Sequence, residues 1–582
     1  MEWIVCFCVS IAFLILAIGT AGIFMKTKYR SERVSNSLNV LVSGVFLSSL
    51  TIFIPAYYQV FVKEELCVIK TVLLSLYSSL RLFLLDGDFD FIMSHVQDSQ
   101  IGFSSAYTML AAILYIVAPF LTFGVVLSFF KNAFAYFDYW GCFFSEVYIF
   151  SDLNPKSIAL STSLKENNTK RTIVFTNVDE QNEEEIHKLG AIIFKRNMLD
   201  VGFHFHSKKK TITFFAIGED QVENLKQALG LIEQYREREN TSLYVFATRT
   251  ENELLLSTVD KGKIKVRRVN EVRSLISRLL YDEGIKIFEN AVSYDEKEKM
   301  ISAVVLGMGE HGTEMAKALP WFCQMDGYRV YINLFDQNKN VKTSFAEKCP
   351  ELMDDAHNKD FITEGEAHYS IDIHEETDVE TMEFWEKMIK IPVVTYAYIA
   401  LGNDEINIRT AVKLRSWFER QGMNPRIDAL VRDTDKAKAL EGITNYSGQA
   451  YRINFIGDLQ TSYSEDVILG SDVEEAALAR HMKWGEEEAF WKYEYNYQSS
   501  VASAIHRKMK ILCGLPGADQ RPDVRKEKDK IALRVLEHRR WNAYMRTEGY
   551  VYAEKRNNLA KTHNCLVKFA DLSLKEQEKD DD

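Results

Sequence analysis

The sequence predicts a multi-domain protein: an N-terminal α-helical transmembrane region, two tandem α/β domains built on doubly wound parallel sheets, and an α-helical C-terminal domain. Two observations predict this order. Almost all long apolar runs of the 582-residue chain lie before Trp140, whereas the remainder alternates short apolar segments with Glu- and Lys-rich stretches, as soluble α/β proteins do. The chain is also too long for a single hydrophobic core, so several domains are expected.

The first element is a membrane region. Crossing a hydrocarbon core of about 30 Å takes roughly 20 apolar residues in a helix. Three runs meet this requirement, at residues 3–25, 37–61 and 105–130. The basic segment 26–33 after the first run favours the cytoplasm under the positive-inside rule, which places the N-terminus outside. We therefore expect a multi-pass protein of the cell membrane whose C-terminal domains are cytoplasmic.

One segment between the second and third runs is ambiguous. Residues 66–85 are apolar but carry Lys70 and Arg81. These two charges fit one face of a helix, so the segment is expected to lie in the interface or to pack against the spans rather than to cross. If it does cross, the orientation of one end of the protein is inverted.

The soluble region repeats one pattern of strands. Apolar segments at 147–152 and 171–180 are mirrored at 303–308 and 328–337, and segments at 211–220 and 242–250 are mirrored at 394–404 and 426–434. Strand, helix, strand units with right-handed crossovers build a doubly wound parallel sheet. Two Rossmann-like domains are therefore predicted, at 146–290 and 300–460.

The second copy alone carries a glycine-rich loop. In GMGEHG, the residues Gly307, Gly309 and Gly312 close a strand and open a helix. Such glycines let a phosphate approach the backbone N–H groups of a helix N-terminus. Asp336 ends the next strand, where an acidic side chain can accept ribose hydroxyls. This pattern indicates a dinucleotide-like site, although similar loops also serve as purely structural turns.

The first copy differs at the same positions. Ser151, Leu153 and Lys156 stand where the glycines would be, while Asp179 still matches Asp336. Their side chains fill the space that a pyrophosphate needs. The first copy is therefore expected to bind no dinucleotide in the usual pose and to pair with the second copy.

The paired α/β pattern resembles the RCK or TrkA-N type of regulatory domain. The resemblance covers residues 146–458 and depends on GMGEHG, Asp336 and the segment ALGNDEIN, in which Gly402, Asp404 and Asn407 follow the fourth strand. It implies binding of NAD(H) or another adenine nucleotide and control of a potassium channel or transporter. No TVGYG-like filter occurs in the sequence, so an ordinary potassium channel is not expected.

The C-terminal region has its own signature. EHRRWNAYMRTEGY at 537–550, with the aromatic stretch from Trp491, resembles the RyR domain of ryanodine receptors and of many bacterial proteins, here over residues 472–582. Arginine forks bind phosphate and aromatic faces stack on bases, which suits nucleotide binding better than catalysis. The ligand-binding residues that the resemblance implies are Tyr495, Glu537, His538, Arg540 and Trp541. A purely structural role for the same residues, in a core and a hydrogen-bond network, stays open.

Composition narrows the function classes. The net charge of −12 disfavours nucleic acid as a partner. Short basic runs at 208–210 and at Arg267-Arg268 are expected to be solvated. The eight scattered cysteines and the histidines show no common metal spacing, so no metal is predicted. No signature of a catalytic site occurs, and an enzyme would have to be a nicotinamide-dependent oxidoreductase that uses the second copy.

These expectations combine into one functional hypothesis. A small nucleotide ligand, sensed by the RyR domain, the second Rossmann-like domain or both, would change the membrane region of a homo-oligomer. Bacterial proteins that join such regions resemble effectors of nucleotide-based conflict systems, including antiphage defence, and such an effector would form a pore in the membrane or perturb it. An RCK-like regulatory subunit of ion transport is the first alternative, and an NAD-dependent oxidoreductase is the second.

Overall fold

The computed structural model describes residues 2–24, 30–84, 86–99, 102–178, 189–248, 255–353, 369–440, 442, 444 and 451–581. The described residues form two compact units. The first comprises residues 1–143 with short segments between 177 and 196, and the second holds the remainder of the chain. Asp179, expected to match Asp336, lies outside the described residues.

The first unit is helical. Among its described residues, three helices are long and apolar enough to cross a membrane, at Glu2–Gly22, Val40–Phe61 and Ser104–Thr122. These match the three runs predicted from the sequence. The unit also holds the short strand Ile192–Ile193. Its helices are Glu2–Phe24, Arg30–Phe61, Cys67–Phe83, Phe89–Asp98 and Ser104–Gly141.

Aromatic side chains and one buried hydrogen bond hold the apolar helices together. Tyr107 is fully buried, and its hydroxyl donates to the carbonyl of Ile52 at 2.8 Å, which satisfies the polar end of the ring. The ring of Trp3 packs edge-on against Tyr107 at 5.1 Å. The first, second and last helices of the unit therefore meet at one point.

The second unit begins with a parallel sheet. Going across the sheet, the five strands that belong to this unit are Thr172–Phe175, Val147–Phe150, Ile212–Ala216, Thr241–Phe246 and Lys265–Val269. Four of these strands were predicted. The strand Lys265–Val269 was not, because it reads Lys-Val-Arg-Arg-Val and lacks a continuous apolar run.

That strand corrects the expectation that Arg267 and Arg268 are solvated. Their side chains are only 11% and 6% exposed, and each pairs with a carboxylate of the C-terminal region, Glu474 and Glu494 respectively. The guanidinium of Arg267 also lies 4.5 Å from the ring centroid of Tyr497. The partners are more than 200 positions away in the chain, so a local reading of the sequence could not anticipate them.

The second sheet has the strand order of a Rossmann fold. In order of position along the chain its strands run 3-2-1-4-5-6, all parallel, and the short strand Val292–Ser293 pairs antiparallel with the first. The order reverses between strands 1 and 4, which is where ligands bind in such sheets. Strands 1 to 6 are Lys299–Leu306, Tyr328–Phe335, Tyr369–His374, Tyr396–Ile399, Arg426–Leu430 and Ile453–Ile456.

Helices cover both sheets, and the C-terminal region is mainly helical. It also contains a small parallel ladder between Val551–Tyr552 and Thr562–His563, which the sequence did not predict. The longer helices of the α/β part are Pro155–Asn167, Gln221–Tyr235, Glu271–Glu283, Glu310–Phe322, Val341–Lys348, Met382–Ile389 and Asp404–Arg420. The C-terminal helices are Ser471–His481, Glu487–Lys492, Glu494–Leu512, Glu527–Thr547 and Leu574–Lys579.

Candidate ligand site in the C-terminal region

The helix Glu527–Thr547 buries charged residues as well as apolar ones. Glu537 is 4% exposed and Arg540 is 1% exposed, and His538, Asn542 and Arg546 are buried beside them. Charged groups are costly to bury unless they are paired and hydrogen-bonded. The stability of this helix therefore depends on the partners that the surrounding chain supplies.

Glu537 is the centre of this charged cluster. Its Oε1 accepts from the Ser503 hydroxyl at 2.7 Å and from Arg540 Nη2 at 2.9 Å, and its Oε2 accepts from Lys510 Nζ at 2.9 Å. Arg480 Nη2 lies 3.8 Å from the same carboxylate. Burial raises the pKa of Glu537, but Arg540 and Lys510 outweigh that effect and hold the pKa well below its usual range. The carboxylate is ionised, and three cationic side chains converge on it.

Arg540 uses only part of its hydrogen-bonding capacity. Its Nε and Nη1 are buried and have no hydrogen-bond partner among the residues that the structure describes. The guanidinium also lies 5.9 Å from the ring centroid of Tyr544, a contact that supplies no acceptor for those donors. A buried donor without an acceptor costs about 1–3 kcal/mol. Such a guanidinium suits a ligand rich in oxygen acceptors, such as a phosphate.

Arg540 lines a cavity of about 150 Å³. All five residues that the sequence marked as ligand-binding, Tyr495, Glu537, His538, Arg540 and Trp541, line this one cavity. Residues on two separate helices are thereby brought together. The remaining lining residues are Arg480, Trp484, Asn496, Ser499, Ser500, Ser503, Met545, Arg556, His563, Cys565, Leu572, Glu576, Lys579 and Asp580.

Aromatic rings form one wall of the cavity. Trp541 contacts His563 edge-on at 4.9 Å and lies nearly parallel to His538 at 5.8 Å. Across the lining, the guanidinium of Arg556 is 5.7 Å from the ring centroid of Tyr495. Faces of this kind stack on a nucleobase, and stacking contributes about 1–3 kcal/mol per base. The cavity thus combines an aromatic wall with a buried cationic end.

The last residues of the described chain form another wall. Asp580 Oδ2 lies 3.1 Å from His538 Nδ1, while His538 Nε2 lies 2.9 Å from the carbonyl of Val567. Burial raises the pKa of Asp580, and the neighbouring His538 offsets part of that rise. Arg534 holds the adjacent Asp581 through two hydrogen bonds of 2.6 and 2.7 Å. An acidic segment therefore lies against the cationic residues of the cavity.

The glycine-rich loop joins the strand Lys299–Leu306 to the helix Glu310–Phe322, and Gly312 lies inside that helix. Gly307 has a positive φ of 85°, and a Cβ there would collide with the carbonyl of Ala400. A Cβ on Gly312 would collide with the carbonyl of Gly307, whereas a Cβ on Gly309 would meet nothing within 4 Å. Gly309 directly precedes the helix Glu310–Phe322. The loop is tight at two glycines and open at the third, where a phosphate could approach.

The acidic residues near that loop already bind backbone groups. Asp336 accepts from the N–H of Met308 at 2.6 Å and from the N–H of Asn338 at 2.7 Å. Asp404 accepts from the N–H groups of Arg432 and Asp433, each at 3.0 Å. Both carboxylates therefore fasten loops to one another. For Asp336, the sequence predicted a ribose contact and not this structural role.

A shallow depression lies near the same sheet edge. Gly402 and Asp404 line it, together with residues from the loop after the fifth strand, but Gly309 and Asp336 do not. Gly402 has a φ of 83°, which favours glycine at the end of strand 4. The six residues predicted for a cofactor are thus divided between a tight loop and an open surface.

Several residues that line the cavity were not predicted from the sequence. Arg480, Trp484, Arg556 and Asp580 line the cavity, although no motif marked them. Conversely, Trp491, part of the C-terminal resemblance, contacts Lys265 at 4.7 Å on the first sheet domain. The abundance of charge in the final segment, KEQEKDDD, was the one available signal for Asp580.

Comparison with known proteins gave matches among solved structures only. No protein-family model matches the chain, and no curated protein matches it. A structure of GsuK bound to ADP is 14% identical, covering 77% of this chain and all of that one, with a TM-score of 0.32. The GsuK channel bound to NAD is 11% identical over 78% of this chain and 86% of that one, with a TM-score of 0.32. The GsuK RCK domain is 11% identical over 58% of this chain and 78% of that one, with a TM-score of 0.31.

Proposed function

We propose that this chain is a ligand-responsive membrane protein whose RyR-like C-terminal domain, at 472–582, binds a small anionic nucleotide. The three apolar helices anchor it in the cell membrane with the N-terminus outside and the second unit in the cytoplasm. Ligand binding changes the packing of the two Rossmann-like domains, 146–290 and 300–460, and thereby the membrane helices. A ligand shifts such an equilibrium only by its different affinity for the two states.

The observation that carries this proposal is the unsatisfied guanidinium of Arg540. Among the described arginines that line the cavity, Arg540 is the one with buried donors that have no hydrogen-bond partner, and each such donor is costly. Nε and Nη1 lack partners among the described residues, while Nη2 binds Glu537. Glu537 thus fixes the orientation of the guanidinium, and the two remaining donors bind a phosphate when ligand binding moves the side chains that cover them.

The ligand class follows from the rest of the cavity. Trp541, Tyr495 and Trp484 supply aromatic surface, and the serines at 499, 500 and 503 supply small hydroxyl groups. A nucleotide fits both ends of the cavity when its base stacks on the aromatic wall and its phosphate binds Arg540. An aromatic wall and a buried cationic end suit the binding of a nucleotide, so we propose sensing and not catalysis.

The test is ligand binding by the full-length protein in detergent. Thermal stability is measured against NAD, NADH, ATP, ADP-ribose and orthophosphate, since a ligand at 100 times its Kd adds about 2.7 kcal/mol. We expect stabilisation by at least one nucleotide and its loss in Arg540→Gln. Arg409→Gln is the matched control, because Arg409 is exposed and pairs with Glu380 on the surface of the second sheet domain. Stabilisation that survives Arg540→Gln contradicts the proposal.

A second candidate function is an RCK-like regulator that binds its nucleotide at the glycine-rich loop. The observation that favours it is the open approach at Gly309, at the N-terminus of the helix Glu310–Phe322. Gly309→Trp blocks this approach, because the site has space at the Cβ but a phosphate would need the same space. Stabilisation abolished by Gly309→Trp and retained in Arg540→Gln supports this candidate over the first.

A further inference from the structure

The helix Cys67–Phe83 in the first unit buries mainly polar residues and exposes apolar ones. Its buried residues are mostly small and polar, namely Thr71, Ser75, Ser78, Ser79 and Leu82. Its exposed residues are apolar, namely Val68, Ile69, Val72, Leu73, Leu76, Tyr77 and Leu80. A helix on a water-soluble surface shows the opposite pattern. The exposed face matches the apolar faces that the spans Glu2–Gly22 and Ser104–Thr122 also expose, so lipid hydrocarbon is the occupant that fits it.

The charges of this helix do not prevent burial in lipid. Lys70 lies in the first turn and pairs with Glu64 at 2.7 Å, and Arg81 lies in the last turn and pairs with Asp86 at 2.9 Å. Ten uncharged residues, 71–80, separate them. Long basic side chains near helix ends reach toward polar surroundings, and pairing lowers the cost of a charge at depth.

Contacts show how deep this helix reaches. Phe83, its last residue, lies 6.2 Å from Phe46 between ring centroids. Phe46 is fifteen residues before Phe61, where the second span ends. At 1.5 Å per residue this is about 22 Å along the span, so the end of the helix lies inside a hydrocarbon core of roughly 30 Å.

The next helix, Phe89–Asp98, returns to the starting end. Phe91 lies 4.6 Å from Tyr57, and Gln59 Nε2 donates to the hydroxyl of Ser99 at 2.8 Å. Tyr57 and Gln59 belong to the last turns of the span Val40–Phe61, beside which the helix Cys67–Phe83 also begins. Both ends of the segment 67–98 are therefore at the same end of the helical bundle.

The link between the two helices lies at mid-depth. Gly87 is so close to Tyr115 that a Cβ would lie 2.5 Å from the ring, and Tyr115 is near the middle of the span Ser104–Thr122. Asp86, Asp88 and Asp90 at this link are exposed. Ionisable groups and non-helical backbone at membrane depth occur where they border water or protein and not lipid.

We propose that residues 67–98 form a re-entrant helical hairpin, which enters and leaves the membrane at the face where the helix Ser104–Gly141 begins, and whose link at Asp86–Asp90 borders water at mid-depth. The helix Cys67–Phe83 buries its polar face against the spans and presents apolar residues to lipid. The helix Phe89–Asp98 instead buries Ile92 and Val96 and exposes polar residues, so its outer face borders water. The hairpin adds no net crossing, so the three spans alone set the orientation. A membrane region that served only as an anchor would not need a link that borders water at mid-depth.

The experiment is thiol labelling of the full-length protein with its eight cysteines replaced. A membrane-impermeant thiol reagent is applied to either membrane face of Val62→Cys, Leu73→Cys and Asp88→Cys. We expect Val62→Cys and Asp88→Cys to be labelled from the same single face. Leu73→Cys, on the exposed apolar face, should lose labelling from both faces because lipid covers it.

Three outcomes overturn the proposal. Labelling of Asp88→Cys only from the face opposite to Val62→Cys means that the first hairpin helix crosses the membrane completely. Equal labelling of all three positions from one face means that the hairpin lies on the surface. An Asp88→Cys that is labelled from neither face means that the link does not meet water. If Asp88→Cys fails to express, Asp90→Cys provides the same measurement, since Asp90 is also exposed.

Discussion

The carboxylate of Glu548 lies 3.0 Å from the guanidinium of Arg273, and this pair joins the end of the helix Glu527–Thr547 to the first sheet domain. Arg273 also binds Glu314 at 3.0 Å, and Lys317 lies 3.2 Å from Glu548. Glu314 and Lys317 belong to the helix that follows the glycine-rich loop. Two cations and two carboxylates thus form one balanced, largely buried network that connects both candidate ligand sites.

Removing one charge from this network should destabilise the protein strongly. Glu548→Gln leaves an excess positive charge at Arg273 and Lys317, and breaking a buried pair costs about 3–5 kcal/mol. We expect a lower thermal midpoint for the full-length variant. The double variant Arg273→Met/Glu548→Gln restores the balance, since Lys317 and Glu314 remain paired, and should lose less stability than the two single variants together. Additive losses would show that charge balance is not the cause.

The same network predicts a dependence on pH. Burial raises the pKa of Glu548, but Arg273 and Lys317 outweigh that effect and hold the pKa far below its usual range. A depressed pKa stabilises the folded state above the unfolded pKa, about 4.3, and the stabilisation is lost as the pH falls below it. The difference in thermal midpoint between wild type and Glu548→Gln should be constant at pH 6–8 and shrink below about pH 4. A difference in thermal midpoint that grows as the pH falls would contradict a depressed pKa for Glu548.

His506 predicts a second, separate pH effect. It is fully buried, and burial, with the nearby Lys510, lowers its pKa to about 3. Its Nε2 faces the carbonyl of Gln324. Because the unfolded chain takes up a proton near pH 6.5 and the folded chain does not, stability falls as the pH drops from 6.5 toward 3, by about 2 kcal/mol at pH 5.

His506→Gln tests that effect directly. Glutamine retains an N–H donor for the carbonyl of Gln324 but does not titrate. The loss of thermal stability between pH 7 and pH 5 should be smaller in His506→Gln than in wild type, measured on full-length protein. An identical slope in both proteins would assign the effect to other groups, of which His563 is one candidate because burial also lowers its pKa, to about 4.

The strands of the sheets could be predicted from the sequence more completely than the ion pairs that join those strands to distant segments. Long apolar strands such as 303–308 and 394–404 are recognisable because a parallel strand buried on both faces has little polar content. Strand Lys265–Val269 was missed because its arginines are satisfied by Glu474 and Glu494, far away in the chain. Tertiary partners of this kind leave no local pattern.

The residues of the candidate site divide in the same way, into those that a local motif predicts and those that only the tertiary fold brings to the cavity. Tyr495 and Arg540 could be named from a motif, because the motif lies within two helices. Arg480 and Asp580 reach the cavity only through the folding of other segments onto those helices. Asp336 accepts a hydrogen bond from the N–H of Met308 because of the final geometry of the loop. Residue types alone do not determine that geometry.

Two glycines of the loop should respond differently to alanine. Gly312→Ala introduces a methyl group that collides with the carbonyl of Gly307, whereas Gly309→Ala has open space. We expect Gly312→Ala to lower the thermal midpoint of the protein, since overpacking costs about 1–3 kcal/mol, and Gly309→Ala to leave it unchanged. Equal tolerance of both changes would mean that the loop is not held as tightly as described.

The acidic wall of the C-terminal cavity should weaken the binding of an anionic ligand. Asp580 is close to His538 and adds negative charge to a cavity whose cationic end includes Arg540. Removing one like charge within about 10 Å at an effective dielectric constant of about 20 changes affinity roughly tenfold. Asp580→Asn should therefore bind the stabilising nucleotide more tightly in a calorimetric titration of the full-length protein, whereas Asp571→Asn, an exposed control outside the cavity lining, should not. Weaker binding in Asp580→Asn would instead indicate that this carboxylate accepts a hydrogen bond from the ligand, and that the acidic segment is part of the recognition surface.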